Sequence, residues 1–208
     1  WNTGDSTSTI NGLTSGFYDV LVTDSNGCVS YSSVILLDPL MLEVSSTVTS
    51  NYHGEDISCY GFIDGSASAT AYGGVLPLTY LWSTGDTTSS IGGLSSGSYS
   101  VAVTDANGCQ AFSTVALFDP NIIELSIVIQ NVLCSGQSTG SIDISVTGGV
   151  APYSYVWSTG DTTEDISGLA AGTYNVTVTD SNGCHVQSSI TITEPSSSLS
   201  ITETHVDV

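Results

Sequence analysis

Five cysteines and three aspartates, set at recurring positions, carry most of the chemistry this sequence could perform. Cys28, Cys109 and Cys184 each close the stretch VTD(S/A)NGC, with Asp24, Asp105 and Asp180 four residues earlier. Cys59 and Cys134 each open a C-x-G segment at one distance from the next such turn, 109 − 59 and 184 − 134 both being 50. Thiols can bond to one another, ligate a metal or act as nucleophiles. The spacing here matches no zinc or redox motif, which leaves disulfides as the chemistry to account for. The aspartates beside Asn-Gly could hold a calcium ion in so acidic a chain. D-x-N-G is too short for an EF-hand, however, and an Asp that starts a turn often caps its own backbone.

Other catalytic signals fail on comparison within the chain. GLSSG (93–97) has the form of a nucleophile elbow around Ser95, but its counterparts GLTSG and GLAAG put Thr14 and Ala170 there. A catalytic elbow also needs a strand leading into a helix, which the pattern does not offer. His53, His185 and His205 are scattered and form no H-E-x-x-H or His-plus-Cys set. No glycine loop for phosphate appears. The chain is expected to be no enzyme and to hold no cofactor, with calcium left open.

The 208 residues include no Lys or Arg against 20 Asp and Glu, a formal net charge of −20. Side-chain ion pairs with Lys or Arg are impossible, so each carboxylate must be solvated, hydrogen-bonded or matched by a free cation. Nothing here could neutralise phosphates, which excludes nucleic acid and anionic lipid as partners. Lysine–asparagine isopeptide bonds are excluded as well, and trypsin has no site to cut. Hydrophobic residues make up 40%, enough for a packed core. No apolar run of 18 residues occurs, so no helix is expected to span a membrane.

The elements that position these residues come in repeats. Trp1, Trp82 and Trp157 each begin a W-(S/N)-T-G-D-(S/T)-T segment, giving periods of 81 (82 − 1) and 75 (157 − 82). L-x-x-G-x-Y returns at Leu13–Tyr18, Leu94–Tyr99 and Leu169–Tyr174, and a (D/E)-P pair at Asp38, Asp119 and Glu194. The six-residue difference falls at NYHGED, an insertion near 51–56. The expected division is the rear part of a truncated repeat (1–39), complete repeats (40–120 and 121–195), and the first strand of another (196–208). SIDISVT and TYNVTVTD alternate apolar and polar residues, the mark of strands with one buried face. Asn-Gly favours a primed hairpin turn. Trp82 and Trp157 are expected at the centre of the core. Tyr99 and Tyr174 also belong to the structural core, in the form of a tyrosine corner. The fold class expected is all-β: tandem antiparallel β-sandwich repeats in a linear array.

The joint pattern C-x-G-x-x-x-G-S … G-G-x-x-P-(Y/L)-x-Y-x-W-S-x-G-x-T-T … L-x-x-G-x-Y-x-V-x-V-T-D-x-N-G-C resembles the SprB-type repeat of Bacteroidota surface proteins over nearly the whole chain. More loosely it is similar to PKD-like immunoglobulin-type sandwiches. Leu78 departs from it where the next copy has Tyr153. The resemblance implies a cell-surface, extracellular adhesin exported by the type IX route and serving gliding or attachment. Its implied partners are neighbouring repeats, a surface polysaccharide or other substratum, and gliding or secretion machinery reached through other regions. GDST and GDTT resemble the D-(S/T)-x acceptor for O-glycosylation in such proteins, making Ser6, Thr87 and Thr162 candidate sugar-bearing residues.

In immunoglobulin strand order, Cys59 and Cys134 lie between strands A and B, and Cys28, Cys109 and Cys184 follow the F–G turn. Pairing within a repeat would join Cys59 to Cys109 and Cys134 to Cys184. Those connections lie at opposite ends of a sandwich, about 20 Å apart, whereas bonded cysteines need Cα atoms within about 7 Å. The A–B end of one repeat faces the F–G end of the next, which favours Cys59–Cys184. Cys28, Cys109 and Cys134 would then find partners outside this segment. Free thiols are the third reading.

The function expected is therefore a rigid, load-bearing stalk segment of a surface filament. The alternatives are a spacer or carbohydrate-binding module of a secreted multidomain enzyme, and a self-assembling pilin or surface-layer subunit. Near-identical copies without an exposed aromatic platform count against carbohydrate binding.

Overall fold

The alternating segments fold as antiparallel strands, and the computed structural model describes residues 1–196. The strand expected over 196–208 falls outside the described residues past Ser196, as does His205. Among the described residues there is no helix. The chain divides into two compact units. One gathers Trp1–Ser45, Thr70–Thr88 and Val101–Ser113; the other gathers Ser46–Ala69, Ser89–Ser100 and the described residues from Thr114 onward.

In the first unit, β1 (Gly16–Thr23) and β2 (Val29–Leu36) form an antiparallel hairpin in register from Gly16↔Leu36 to Thr23↔Val29. Residues 40–120 supply β3 (Glu43–Val48), β4 (Gly65–Tyr72), β5 (Thr79–Trp82), β6 (Ser90–Leu94), β7 (Gly97–Thr104) and β8 (Gln110–Leu117). They pair as β3-β4-β6 and as β5-β7-β8.

Residues 121–195 show the sandwich within the second unit. Its strands are β9 (Glu124–Gln130), β10 (Gly140–Thr147), β11 (Ser154–Trp157), β12 (Ile166–Leu169), β13 (Gly172–Thr179) and β14 (His185–Ile192). One sheet has the order β9-β10-β12 and the other β11-β13-β14, the A-B-E and C-F-G halves of an immunoglobulin-like fold. Period-two alternation turns Ile142 and Ile144 of β10 inward, and an irregularity in the β10–β12 register, with Gly168 at φ +72°, lets Ile166 and Leu169 of β12 both face in although they are three residues apart. They meet Trp157 of β11, Val176 and Val178 of β13, and Ile190 and Ile192 of β14. Burying each such aliphatic side chain contributes about 2 kcal/mol, and their β-branched shapes suit a pleated surface.

The hairpin β1–β2 has the same sequence pattern without that opposing sheet. Val22 is 61% exposed where Val178 is fully covered, and Val34 is 47% exposed where Ile190 shows 4%.

The paired glycines before each cis-proline have a steric cause. Gly148 and Gly149 have φ of +72° and +60°, and the Gly149 N–H donates to the Asn121 carbonyl at 2.8 Å. A Cβ on Gly148 would overlap the Ile122 carbonyl, so side chains are excluded where the chain entering β9 passes close.

Candidate functional site: the Cys59–Cys184 fastening

Each VTDxNGC turn is built around its aspartate. Asp180 Oδ1 accepts the N–H groups of Asn182 and Cys184, both at 2.9 Å, and Oδ2 accepts that of Val150 at 2.9 Å. Asp105 binds Asn107, Cys109 and Val75 in the same way, and Asp24 binds Asn26 and Cys28. Asp105 and Asp180 are buried. The N–H of Val75 above all, then those of Cys109 and Asn107, hold the Asp105 carboxyl below the ordinary carboxylate range against the opposing effect of burial.

The turn is not the primed hairpin that Asn-Gly led us to expect. Asp180 O accepts from the Gly183 N–H at 3.2 Å, and Asp180 N donates to the Cys184 carbonyl at 2.9 Å. Gly183 takes the left-handed conformation at φ +86°, while no described Asn has a positive φ. A primed turn needs two left-handed residues; this carboxylate clamp needs one, followed by a bulge.

The A–B connection is held by an acid from the end of its own repeat. In Cys59–Phe62 the N–H of Phe62 donates to the Cys59 carbonyl at 3.0 Å, with Gly61 left-handed at φ +76°. Asp119 Oδ1 accepts the Gly61 N–H at 3.2 Å; Glu194 Oε2 accepts that of Gly136 at 2.6 Å. Sequence reading noted (D/E)-P and C-x-G separately and missed that one caps the other. Their shared recurrence was the available signal.

Within the second unit these two devices meet. Cys59 and Cys184 are bonded, with S–S 1.99 Å and Cα–Cα 5.6 Å across a separation of 125 residues. Cys28, Cys109 and Cys134 are exposed free thiols, so neither within-repeat pair forms. Asn182 Nδ2 donates to the carbonyls of Tyr52 (3.2 Å) and Ser58 (3.1 Å), and His53 Nδ1 lies 2.6 Å from Asn182 Oδ1. The insertion thus reaches the turn that carries Cys184. His53 and Asn182 were not singled out from sequence as contacts, since nothing local relates residues 129 apart.

The remaining candidates sit as follows. Trp82 and Trp157 are buried, and each ring N–H donates at 2.9 Å to the carbonyl six residues on, Thr88 or Thr163. Trp1 bonds Thr7 likewise. Tyr99 and Tyr174 are half-buried at the margin of the core rather than within it. Their hydroxyls must reach the carbonyls of Ser95 and Ala170, each at 2.9 Å. Ser95 itself lies between strands β6 and β7, with no helix following. Ser6, Thr87 and Thr162 are exposed, whereas the neighbouring hydroxyls of Thr7 and Thr163 are tied to backbone carbonyls at 2.7 Å. No group of three or more His, Cys, Asp or Glu among the described residues is placed to share a metal ion. The buried aspartates point at N–H dipoles, the opposite of a cation's surroundings.

Beside the disulfide opens an apolar cleft of about 350 Å³. Tyr60 (60% exposed) and Phe62 (54%) line it together with Ile122, Val186, Asn121 and His185. This corrects the expectation that no aromatic platform is exposed; the C-x-G turn displays both rings outward.

Residues 54–87 and 126–162 match the family model of the SprB repeat. No curated protein matches the chain. Among solved structures, one concerning host cell surface retention of a 1.5-MDa bacterial ice-binding adhesin is 13% identical, over 86% of this chain and 73% of that one, at TM-score 0.40. The N-terminal eight immunoglobulin domains of Down Syndrome Cell Adhesion Molecule are 12% identical over 86% of this chain, at TM-score 0.36; the match spans about a quarter (26%) of that molecule. A tetra-tandem repeat from the extending region of a large adhesion protein is 16% identical over 88% of this chain and 58% of that one, at TM-score 0.25. Those two segments are thus similar to the SprB repeat, and the strands of residues 121–195 follow the order of an immunoglobulin-like sandwich.

Proposed function

We propose that the chain is a load-bearing segment of an extracellular cell-surface adhesin filament, exported by the type IX route and serving gliding or attachment. It catalyses no reaction in this reading. The observation that carries it is the Cys59–Cys184 bond, which ties the A–B connection of one repeat to the F–G turn of the following one. A bond across 125 residues lets tension bypass everything between its ends. Applied to the other cysteines, the same rule joins Cys134 to the F–G cysteine of a following repeat, and Cys28 and Cys109 to A–B cysteines of preceding ones. Single-molecule pulling tests it. With the bond intact, extension falls short of that of the reduced chain by about 430 Å, the contour of the 125 residues at ~3.4 Å each. Equal extensions would overturn the reading.

Ser6, Thr87 and Thr162 are proposed as glycosylation sites, supported by exposed hydroxyls outside the hydrogen bonds of the turn. An intact mass equal to the bare polypeptide, measured on protein from its native source, would overturn this.

The cleft beside the disulfide favours a second reading, carbohydrate binding. Two aromatic faces with an amide and an imidazole at the rim suit a neutral sugar ring, and a chain without Lys or Arg disfavours anionic ligands. A neutral-glycan array separates the two readings, since a simple stalk segment gives no signal that Tyr60→Ala and Phe62→Ala abolish.

A further inference from the structure

Each VTDxNGC turn contains an asparagine that the turn itself does not require. Its left-handed position is filled by glycine, and no described Asn has a positive φ. Asn182 shows another use for the residue. Its Nδ2 donates to two carbonyls, Tyr52 O and Ser58 O, and its Oδ1 faces His53 Nδ1. Because the two carbonyls accept, the amide orientation is determined, and His53 must carry its hydrogen on Nδ1. A carboxylate at position 182 would be turned against two carbonyl oxygens in a protein without Lys or Arg. The amide satisfies all three partners without adding charge.

We propose that the asparagine of the D-x-N-G-C turn is a docking key, and that residues 52–58 form the socket that reads it. The partner this surface selects is the F–G turn of an SprB repeat. The proposal deepens, and rests on, the reading of repeats fastened in series. The socket has two parts. Ser58 precedes Cys59 as Leu133 precedes Cys134, so a backbone carbonyl recurs at this place in each complete repeat. His53 and Tyr52 belong to the insertion and reinforce this one fastening. His53 is held at φ +55°, unfavourable for a residue with a Cβ and unique among the described non-glycine residues. The loop over-determines it through the Tyr52–Glu55 bridge and the Gly54 N–H bond to Asn51 Oδ1 at 2.8 Å. Asn26 and Asn107 occupy the same place on turns whose cysteines are free thiols, and are keys of the same kind.

The test titrates the oxidised full chain with dithiothreitol, which takes the two electrons' worth of oxidation from Cys59–Cys184 and closes to its own cyclic disulfide. Alkylation and mass mapping report the released thiols. Asn182→Ala is expected to halve-reduce at roughly tenfold lower dithiothreitol, the loss of its bonds to the Ser58 and Tyr52 carbonyls, of which Tyr52 O retains the Glu55 N–H. His53→Ala is expected to shift it about threefold. Asn107→Ala alters an equivalent turn outside the socket and should leave it unchanged. Tryptophan fluorescence, from Trp1, Trp82 and Trp157 together, reports whether the chain remains folded; should Asn182→Ala not fold, the His53→Ala titration decides. Coincidence of Asn182→Ala with the unaltered chain, or an equal shift from Asn107→Ala, overturns the key. An unaltered chain lacking the Cys59–Cys184 bond would instead overturn the fastened-repeat reading.

Discussion

Asp180 Oδ1 accepts the backbone N–H of Cys184 at 2.9 Å, so the carboxylate that could have held a cation holds in place the backbone of the cysteine bonded to Cys59. Replacing Asp180 with Asn turns an N–H₂ group towards amide donors. We expect a loss of about 2 kcal/mol in the denaturant unfolding of the sandwich of residues 121–195. Chelation with EDTA should leave the melting temperature of the unaltered chain unchanged, since these oxygens are already bonded to amides.

Acid should weaken the fold through Asp105. Its folded pKa lies below the ordinary carboxylate value, chiefly because of the Val75 N–H. The stability this contributes is present above the unfolded pKa of about 4 and is lost as pH falls through the folded one. Melting curves between pH 6 and pH 2 should drop less steeply for Asp105→Asn than for the unaltered chain.

Alkali should act through Tyr155, whose hydroxyl is pushed up to about 12 by burial first and then by the adjoining Glu164 carboxylate. A raised folded pKa means stability is fully present below the unfolded value of about 10 and declines up to about 12. Unfolding titrations across that window should be flatter for Tyr155→Phe.

Gly148→Ala should be among the most damaging single changes. Its φ of +72° disfavours any side chain, and the added methyl meets the backbone carbonyl of Ile122 rather than a movable side chain. We expect a loss of about 3 kcal/mol or more by denaturant unfolding. Gly160→Ala, at φ +91° but in open space, should lose about 1 kcal/mol.

Cys59→Ser removes a link across 125 residues. In the chain-entropy model this loses about 5 kcal/mol, most of it through a less constrained unfolded chain. Unfolding followed with and without reductant should show a large difference for the unaltered chain and none for the variant.

Much of the local structure was legible because its causes are local. Alternation along SIDISVT gives β10 its buried Ile142 and Ile144. L-x-x-G-x-Y brings each tyrosine hydroxyl to a carbonyl four residues back. W-S-T-G-D-T-T closes on itself when the indole N–H meets a carbonyl six residues on. Such contacts lie within the reach of a few residues, so short-range order in the sequence specifies them. The Asn-Gly reading failed for the opposite reason. A carboxylate bonded to Val150, 30 residues away, organises the turn and leaves left-handed geometry to glycine alone.

The sequence by itself determined the repeats, their strands and sandwich class, and the absence of any Lys or Arg to pair with 20 acidic side chains. Tertiary structure decided what those groups face. It directed buried aspartates onto amide N–H groups, brought Tyr60 and Phe62 out beside a cleft, chose Cys184 for Cys59, and set Asn182 between His53 and two carbonyls. Periodicity records which face of a strand is buried, because burial repeats along the chain. It holds no record of which distant loops meet, because that depends on the packing of whole sheets.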